Sequence, residues 1–191
     1  MEKEIIFVTG NKGKVESANR RFNGRVRFVA AEFDYDELRS QDVIEVVKKK
    51  ILDAYKVFKQ PCIALDAAFC IPSLRGFPGT FVNFCLDTIG VEGILKLTKN
   101  EDRECYFLQA LAFHDREKVR IFQCKVSGKI AREKRGELSN LDWSELSKIF
   151  VPSGESKTLA EMSATERTQY ENSQPSAFEM FAEWYIMEQE V

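Results

Sequence analysis

The sequence predicts an α/β protein on a mixed β-sheet, and three observations predict it. Strand-like and helix-like segments alternate through the front of the chain, the pattern of a sheet covered by helices. Two aromatic-rich segments, residues 104–114 and 118–127, flank the polar turn Asp115-Arg116-Glu117 and read as an antiparallel hairpin. A helix over residues 177–187, with Phe178, Phe181, Trp184 and Tyr185, closes the chain.

Each element follows in order. Residues 4–8 (EIIFV) read as a buried strand, broken by Thr9-Gly10-Asn11-Lys12-Gly13-Lys14, after which residues 15–22 read as a helix. Residues 25–33 make a second strand. From Asp42 to Phe58 the apolar residues Val43, Val46, Val47, Ile51, Ala54, Tyr55 and Phe58 fall at helical spacing, and Pro61 ends that segment. Residues 62–65 form a short apolar strand ending at Asp66. Arg75-Gly76-Phe77-Pro78-Gly79 is a turn signal. Helices follow around residues 81–88 and 91–97. Past Gly128 the chain is polar through Trp143, then Phe150-Val151-Pro152 is short and apolar, and Pro175 opens the closing helix at its first position.

Composition narrows the function. The 191 residues suit one bilobed domain over 1–191 with a core of its own. Lys+Arg number 28 against 30 Asp+Glu, a net charge of −2, which argues against broad electrostatic binding of nucleic acid. No apolar run approaches the ~20 residues of a membrane span, and the N-terminus does not read as a secretory signal. The 5 cysteines are scattered without a CxxC pair and read as buried free thiols, so the expected location is cytoplasmic. The single histidine, His114, excludes zinc sites built on several imidazoles. Fifteen phenylalanines point to an aromatic core.

Two constellations carry chemistry. A strand, then Thr9-Gly10-Asn11-Lys12-Gly13-Lys14, then a helix is an anion cradle: free N–H groups, glycines that let the backbone approach, and lysines for charge. Asn11 is either a phosphate contact or the helix N-cap. The second constellation is acidic. Asp66 at a strand end and Glu37 after the second strand are the hard oxygen ligands Mg²⁺ prefers, usually one or two beside substrate phosphates. Asp66 alone also reads as a strand-end cap. Lys50 is either a phosphate contact or a solvated helical lysine.

These residues, taken in order, resemble the inosine triphosphate pyrophosphatase family. Thr9-Gly10-Asn11-Lys12-Gly13-Lys14 is similar to its Thr/Ser-x-Asn-x-x-Lys phosphate loop. Glu37 and Lys50 match its Glu-containing loop and the helix after it. Asp66 takes the place of the second acidic residue of its Asp/Glu-Asp-Ser/Thr-Gly motif, and Gly76-Phe77-Pro78-Gly79 follows. Phe150-Val151-Pro152 and Thr158-Leu159-Ala160-Glu161-Met162 resemble its Phe-x-Pro and Thr-Phe-Ala-Glu-Met. The resemblance implies an elongated mixed sheet with two lobes and a central crevice, often in a homodimer. It implies Mg²⁺-dependent hydrolysis of non-standard purine nucleoside triphosphates to monophosphate and pyrophosphate. Thr9, Asn11, Lys14 and Lys50 would hold the phosphates, Glu37 and Asp66 the metal, and Asp66 the attacking water.

The sequence departs from the family at named places. Ala67 and Ala68 stand where Ser/Thr and Gly follow the acidic residue, and Leu65 replaces the carboxylate before it. For the base-gripping Phe-Gly-Trp/Tyr-Asp, an ungapped match from Phe150 leaves neither the aromatic nor the Asp in place, while a small insertion after Trp143 would let Trp143 stack on the base. Glu166-Arg167-Thr168 replaces Glu-Lys-Asn, and no His or Arg occupies the Ser-His-Arg position. Trp143 and Arg167 are thus the candidates for contact with the base. The departures support a second expectation beside the hydrolase: a catalytically impaired member that binds a nucleotide or a protein partner.

Overall fold

Strand β1 (Lys3–Val8) is the reference line of the sheet, because its apolar run is flanked on both sides. In the computed structural model, which describes residues 3–22 and 24–188, Ile5, Phe7 and Val8 are all buried. β1 pairs in parallel with β2 (Val26–Ala31) and with β3 (Cys62–Cys70). Strands buried on both faces read as continuous apolar runs, as here. The order across the sheet is β2-β1-β3-β5-β6-β7, where β5 is Glu104–His114, β6 is Val119–Ile130 and β7 is Phe150–Pro152. The two-residue β4 (Pro78–Gly79) pairs antiparallel with the end of β3, and β6 pairs antiparallel with β7. The mixed sheet expected from sequence is present.

Among the described residues six α-helices accompany it: α1 (Lys12–Phe22), α2 (Val43–Phe58), α3 (Val82–Thr88), α4 (Gly90–Leu97), α5 (Ala164–Ser173) and α6 (Ala177–Met187). Packing divides the chain into two compact units. The first holds residues up to Ala67, Gln109–Cys124 and the segment from Ser176 onward; the second holds Ala68–Leu108 and Lys125–Pro175. The first has an aromatic core. Phe7 meets Phe178 at 5.5 Å, Phe22 meets Phe28 at 4.9 Å, and Phe181 lies among Phe22, Phe113 and Phe122. The second packs Phe69, Ile94, Leu146 and Phe150 with Cys85 and Cys105. All five cysteines are free, and burial pushes the Cys62 and Cys105 thiols up to about 12.

Several boundaries differ from the sequence reading. α1 begins at Lys12, not 15, because Asn11 Oδ1 accepts the Lys14 amide at 3.2 Å and so caps the helix three residues early. β3 does not end before Asp66. It runs on through Ala67, Ala68 and Phe69 to Cys70, because its far end gains a new partner in β4 after β1 has stopped. β6 passes through Gly128 to Ile130. That glycine is no breaker: a Cβ there would lie 2.5 Å from the Val151 carbonyl oxygen and 2.6 Å from the Phe150 ring, so its bareness is what lets β7 approach. α6 is capped by Ser176, whose hydroxyl accepts the Glu179 amide, so Pro175 precedes the cap and is not the first helical residue. α5 was not anticipated at all, although Ser163 and Glu166 form a capping box at its start.

Candidate active site

Beyond Val8 the chain leaves the sheet, and the neighbouring strand on one side continues. The parallel register pairs Ile6 with Cys62 and Phe7 with Ile63. Extending it sets Leu65 and Asp66 beside Thr9 and Gly10, just past the carboxyl end of β1. Asp66 is therefore mid-strand in β3 yet faces the loop that begins where β1 stops. The expectation of a ligand-facing carboxylate at a strand terminus is corrected in detail: the relevant terminus belongs to β1.

Local hydrogen bonds shape the loop. Thr9 Oγ1 accepts the Asn11 amide at 3.1 Å, and the Thr9 amide reaches Ala31 O at 3.1 Å. Of the two alternatives for Asn11, the N-cap is the one its hydrogen bond shows, with Oδ1 accepting the Lys14 amide. The amides of Lys12 and Gly13 lead the helix and have no intrahelical acceptor. Over Gly10 lies the Glu32 carboxylate, 2.5 Å from where a Cβ would stand, so only glycine fits without moving that side chain.

Two lysines converge on β3. Lys14 Nζ donates to Leu65 O at 3.2 Å. Burial pulls its pKa down to about 8, against the opposing pull of Asp66 and with some help from Lys50. Lys50 Nζ, projecting from α2, donates to Asp66 Oδ1 at 3.2 Å. Burial alone would lower the Lys50 pKa, but the Asp66 carboxylate and Tyr35 outweigh it and the ammonium is held above its ordinary value. Lys50 is thus no solvated helical lysine; its side chain is 13% exposed. α2 places it because Asp42 caps the helix, its side chain accepting the Ile44 amide at 2.8 Å, and Val43, Val47 and Ile51 bury the adjoining face.

The other oxygen of Asp66, Oδ2, is buried and has no hydrogen-bond partner among the described residues. An orphaned carboxylate oxygen costs free energy unless a ligand meets it, which makes it the most telling atom of the site. The donor chemistry suits a hard cation. Among the described residues no group of three or more His, Cys, Asp or Glu converges, but Mg²⁺ needs only one or two carboxylates when phosphate oxygens and water complete its shell. Glu37 is exposed in the segment between β2 and α2, and its charge bears on Tyr35. Sequence reasoning passed over Tyr35 and Glu32. The first sat beside Glu37 in the same loop, and nothing in the sequence places the second against Gly10.

The other candidates lie in the second unit. Trp143 is half-buried, just before the 3₁₀ turn Glu145–Lys148. Leu146 and Ser147 of that turn are buried, Leu146 in the apolar core. Arg167 of α5 is buried too. Its Nε donates to Glu171 at 2.9 Å, and its Nη1 to Asp142 at 3.3 Å and to Leu159 O at 3.4 Å. His114, the lone histidine, ends β5 and stacks on Tyr55 at 3.8 Å.

Known proteins share the family and the fold. The Ham1 family model matches residues 5–184, and the chain belongs to that family. It is 38% identical over 185 residues to a dITP/XTP pyrophosphatase of Saccharolobus solfataricus, covering 95% of this chain and 93% of the relative. It is 30% identical to inosine triphosphate pyrophosphatase 2 of Trypanosoma cruzi, over 86% of this chain and 83% of that one. Among solved structures, a HAM1 protein from Coxiella burnetii superposes with a TM-score of 0.81 at 20% identity, covering 97% of this chain and 99% of the other. The Staphylococcus aureus Ham1 protein gives 0.78 at 24%, covering 97% and 100%. The structural matches establish the shared fold, and the family resemblance read from the motifs is borne out.

Proposed function

We propose that this chain hydrolyses non-standard purine nucleoside triphosphates, dITP and XTP among them, to the monophosphate and pyrophosphate. The observation that carries the reading is Asp66: one oxygen on Lys50, the other buried and unmet, beside a phosphate-type loop. The names of the curated relatives supply the substrate class. Thr9, Asn11, Lys14 and Lys50 hold the phosphate chain, with the Lys12 and Gly13 amides at the helix start. Asp66 and Glu37 hold Mg²⁺, which, when bound, offsets charge on the triphosphate. Asp66 orients a water and takes its proton as the water oxygen bonds to the α-phosphorus. The bond from that phosphorus to the bridging oxygen breaks, and pyrophosphate leaves.

The chain works in the cytoplasm, a reading supported by its free thiols, and as a homodimer, supported by the exposed Phe77, Phe81 and Phe84. No helix among the described residues is long and apolar enough to cross a membrane. A second reading, nucleotide binding without turnover, is favoured by Ala67 and Ala68, which bring no hydroxyl to the corner beside Asp66. Pyrophosphate release from a panel of dITP, XTP, ITP and the standard triphosphates, with and without Mg²⁺, separates the two. Mg²⁺-dependent release strongest on dITP or XTP is the expected result. Folded protein that is stabilised by nucleotide yet turns over none of the panel would leave the binding reading in its place.

A further inference from the structure

The Lys50 ammonium has two placed neighbours. Asp66 Oδ1 lies 3.2 Å away, and the centroid of the Tyr35 ring 5.8 Å away. A cation within about 6 Å of an aromatic face is attracted by the ring quadrupole. Tyr35 sits in the irregular segment between β2 and α2, which has no strand ladder or helix of its own to hold it. Its anchor is aromatic. It stacks on Phe33 at 4.8 Å and 21°, and Phe33 packs edge-on against Phe58 at 5.8 Å and 79°. Lys50 and Phe58 both belong to α2, two turns apart and so about 12 Å along its axis. The Phe33–Tyr35 pair therefore bridges from the last turn of α2 back to Lys50.

The arrangement has a consequence for the carboxylate. A lysine has a long flexible stem and a compact charge that water competes for. With Tyr35 against it, the ammonium stays on Oδ1, and Oδ2 is the oxygen left over for metal and water. We infer that Tyr35, braced by Phe33, is a positioning residue for the Lys50–Asp66 pair and sets which Asp66 oxygen meets the substrate. This rests on the proposed hydrolase and adds to it a residue acting through Lys50. Tyr35 acts on Asp66 through Lys50, so the expected effect is on the orientation of Asp66 and falls on kcat.

The test is a double-mutant cycle: wild type, Tyr35→Ala, Lys50→Ala and the double variant, with Tyr35→Phe beside them. Pyrophosphate release from dITP with Mg²⁺ gives kcat and KM separately. Tyr35→Ala is expected to lower kcat by about 10-fold with KM within about twofold, since small misplacements of reacting groups are costly. Tyr35→Phe keeps the ring but loses the hydroxyl that also hydrogen-bonds Lys50, and its kcat is expected to fall between wild type and Tyr35→Ala. In the Lys50→Ala background the Tyr35→Ala change has no further effect, because the two act as one unit. Equal losses in both backgrounds, or an unchanged kcat in Tyr35→Ala, would overturn the inference. Should Tyr35→Ala unfold, Phe33→Leu removes the brace instead and is expected to show the same dependence on Lys50. Should Lys50→Ala fall below detection in steady state, single-turnover pyrophosphate release with enzyme in excess reads the same cycle. Absence of turnover in folded wild type sinks the hydrolase reading itself, and this inference with it.

Discussion

Two charged clusters in this molecule look alike on paper and differ in one respect. In the first unit, Lys50 meets Asp66, with side chains 13% and 18% exposed; in the second, Arg167 meets Asp142, at 9% and 4%. Arg167 divides its donors among Asp142, Glu171 and the Leu159 carbonyl, while the second oxygen of Asp142 takes the Ser139 amide and hydroxyl. Asp66 has Lys50 on one oxygen and no partner on the other. The closed cluster is a finished structural network, in which each group satisfies another. The open one keeps unmet capacity where a ligand can enter. Burial and charge by themselves do not separate a fold-holding ion pair from a chemical site; unsatisfied valence does.

Breaking the open cluster has the largest expected effect, and it falls on activity. Asp66→Asn keeps the shape and removes the charge proposed to bind metal and accept a proton. Turnover is expected to fall by about 10³-fold with the melting temperature nearly unchanged. Near-normal turnover in the variant would remove Asp66 from the chemistry.

Breaking the closed cluster should do the reverse. Arg167→Met strands Asp142 and Glu171 in a poorly hydrated place. It should cost about 3 kcal/mol of stability, read as a lower urea midpoint at unchanged slope. Activity per folded molecule and the preference among bases then report whether Arg167 also reaches the base. A shift in base preference at full stability would make it a ligand contact and dissolve the contrast between the clusters.

The smallest effect sharpens the comparison at a third buried polar group. His114 Nδ1 accepts the Arg116 amide at 3.2 Å. Burial lowers its pKa from the ordinary 6.5, with Asp115 opposing. The folded state thus binds this proton less readily than the unfolded chain does. Stability from this group is complete above about pH 6.5 and is lost as pH falls through the depressed folded value. The slope stays under the ~1.4 kcal/mol per pH unit that one proton allows. Chemical denaturation between pH 5 and 8 (roughly the range over which histidine titrates) should show it, and His114→Phe should flatten that part of the profile. A slope of opposite sign would mean that the imidazole is charged in the fold.

Much of the fold was legible because local rules set it. β5 and α6 lie where periodicity places them, and α2 starts one residue into the helical spacing read from Asp42. The misplaced edges share a physical cause: a distant partner. β3 outlasts Asp66 because β4 comes to pair with it, and β6 outlasts Gly128 because β7 needs that bare backbone. α5 was the one helix missed despite a local signal, the Ser163–Glu166 capping box. Of the site, the loop, Lys50 and Asp66 were readable from residue type and order. Tyr35 and Glu32 were not, because a stacked tyrosine and a carboxylate over Gly10 leave no spacing in the sequence.

By itself the sequence determined the α/β class, the glycine-containing turn between the first strand and helix, and the family to which these residues belong. Periodicity, capping residues and motif order are short-range properties, and they survive in one dimension. Only the tertiary structure decided which charges are spent. Whether Lys50 is solvated or bonded, whether Arg167 is free or clasped, and which oxygen of Asp66 is left over depend on groups brought together from far along the chain. Lys50 and Asp66 are sixteen residues apart, and Arg167 and Asp142 twenty-five. In the desolvated interior such pairings are strong when completed and costly when left open, so the position of the open one marks the site.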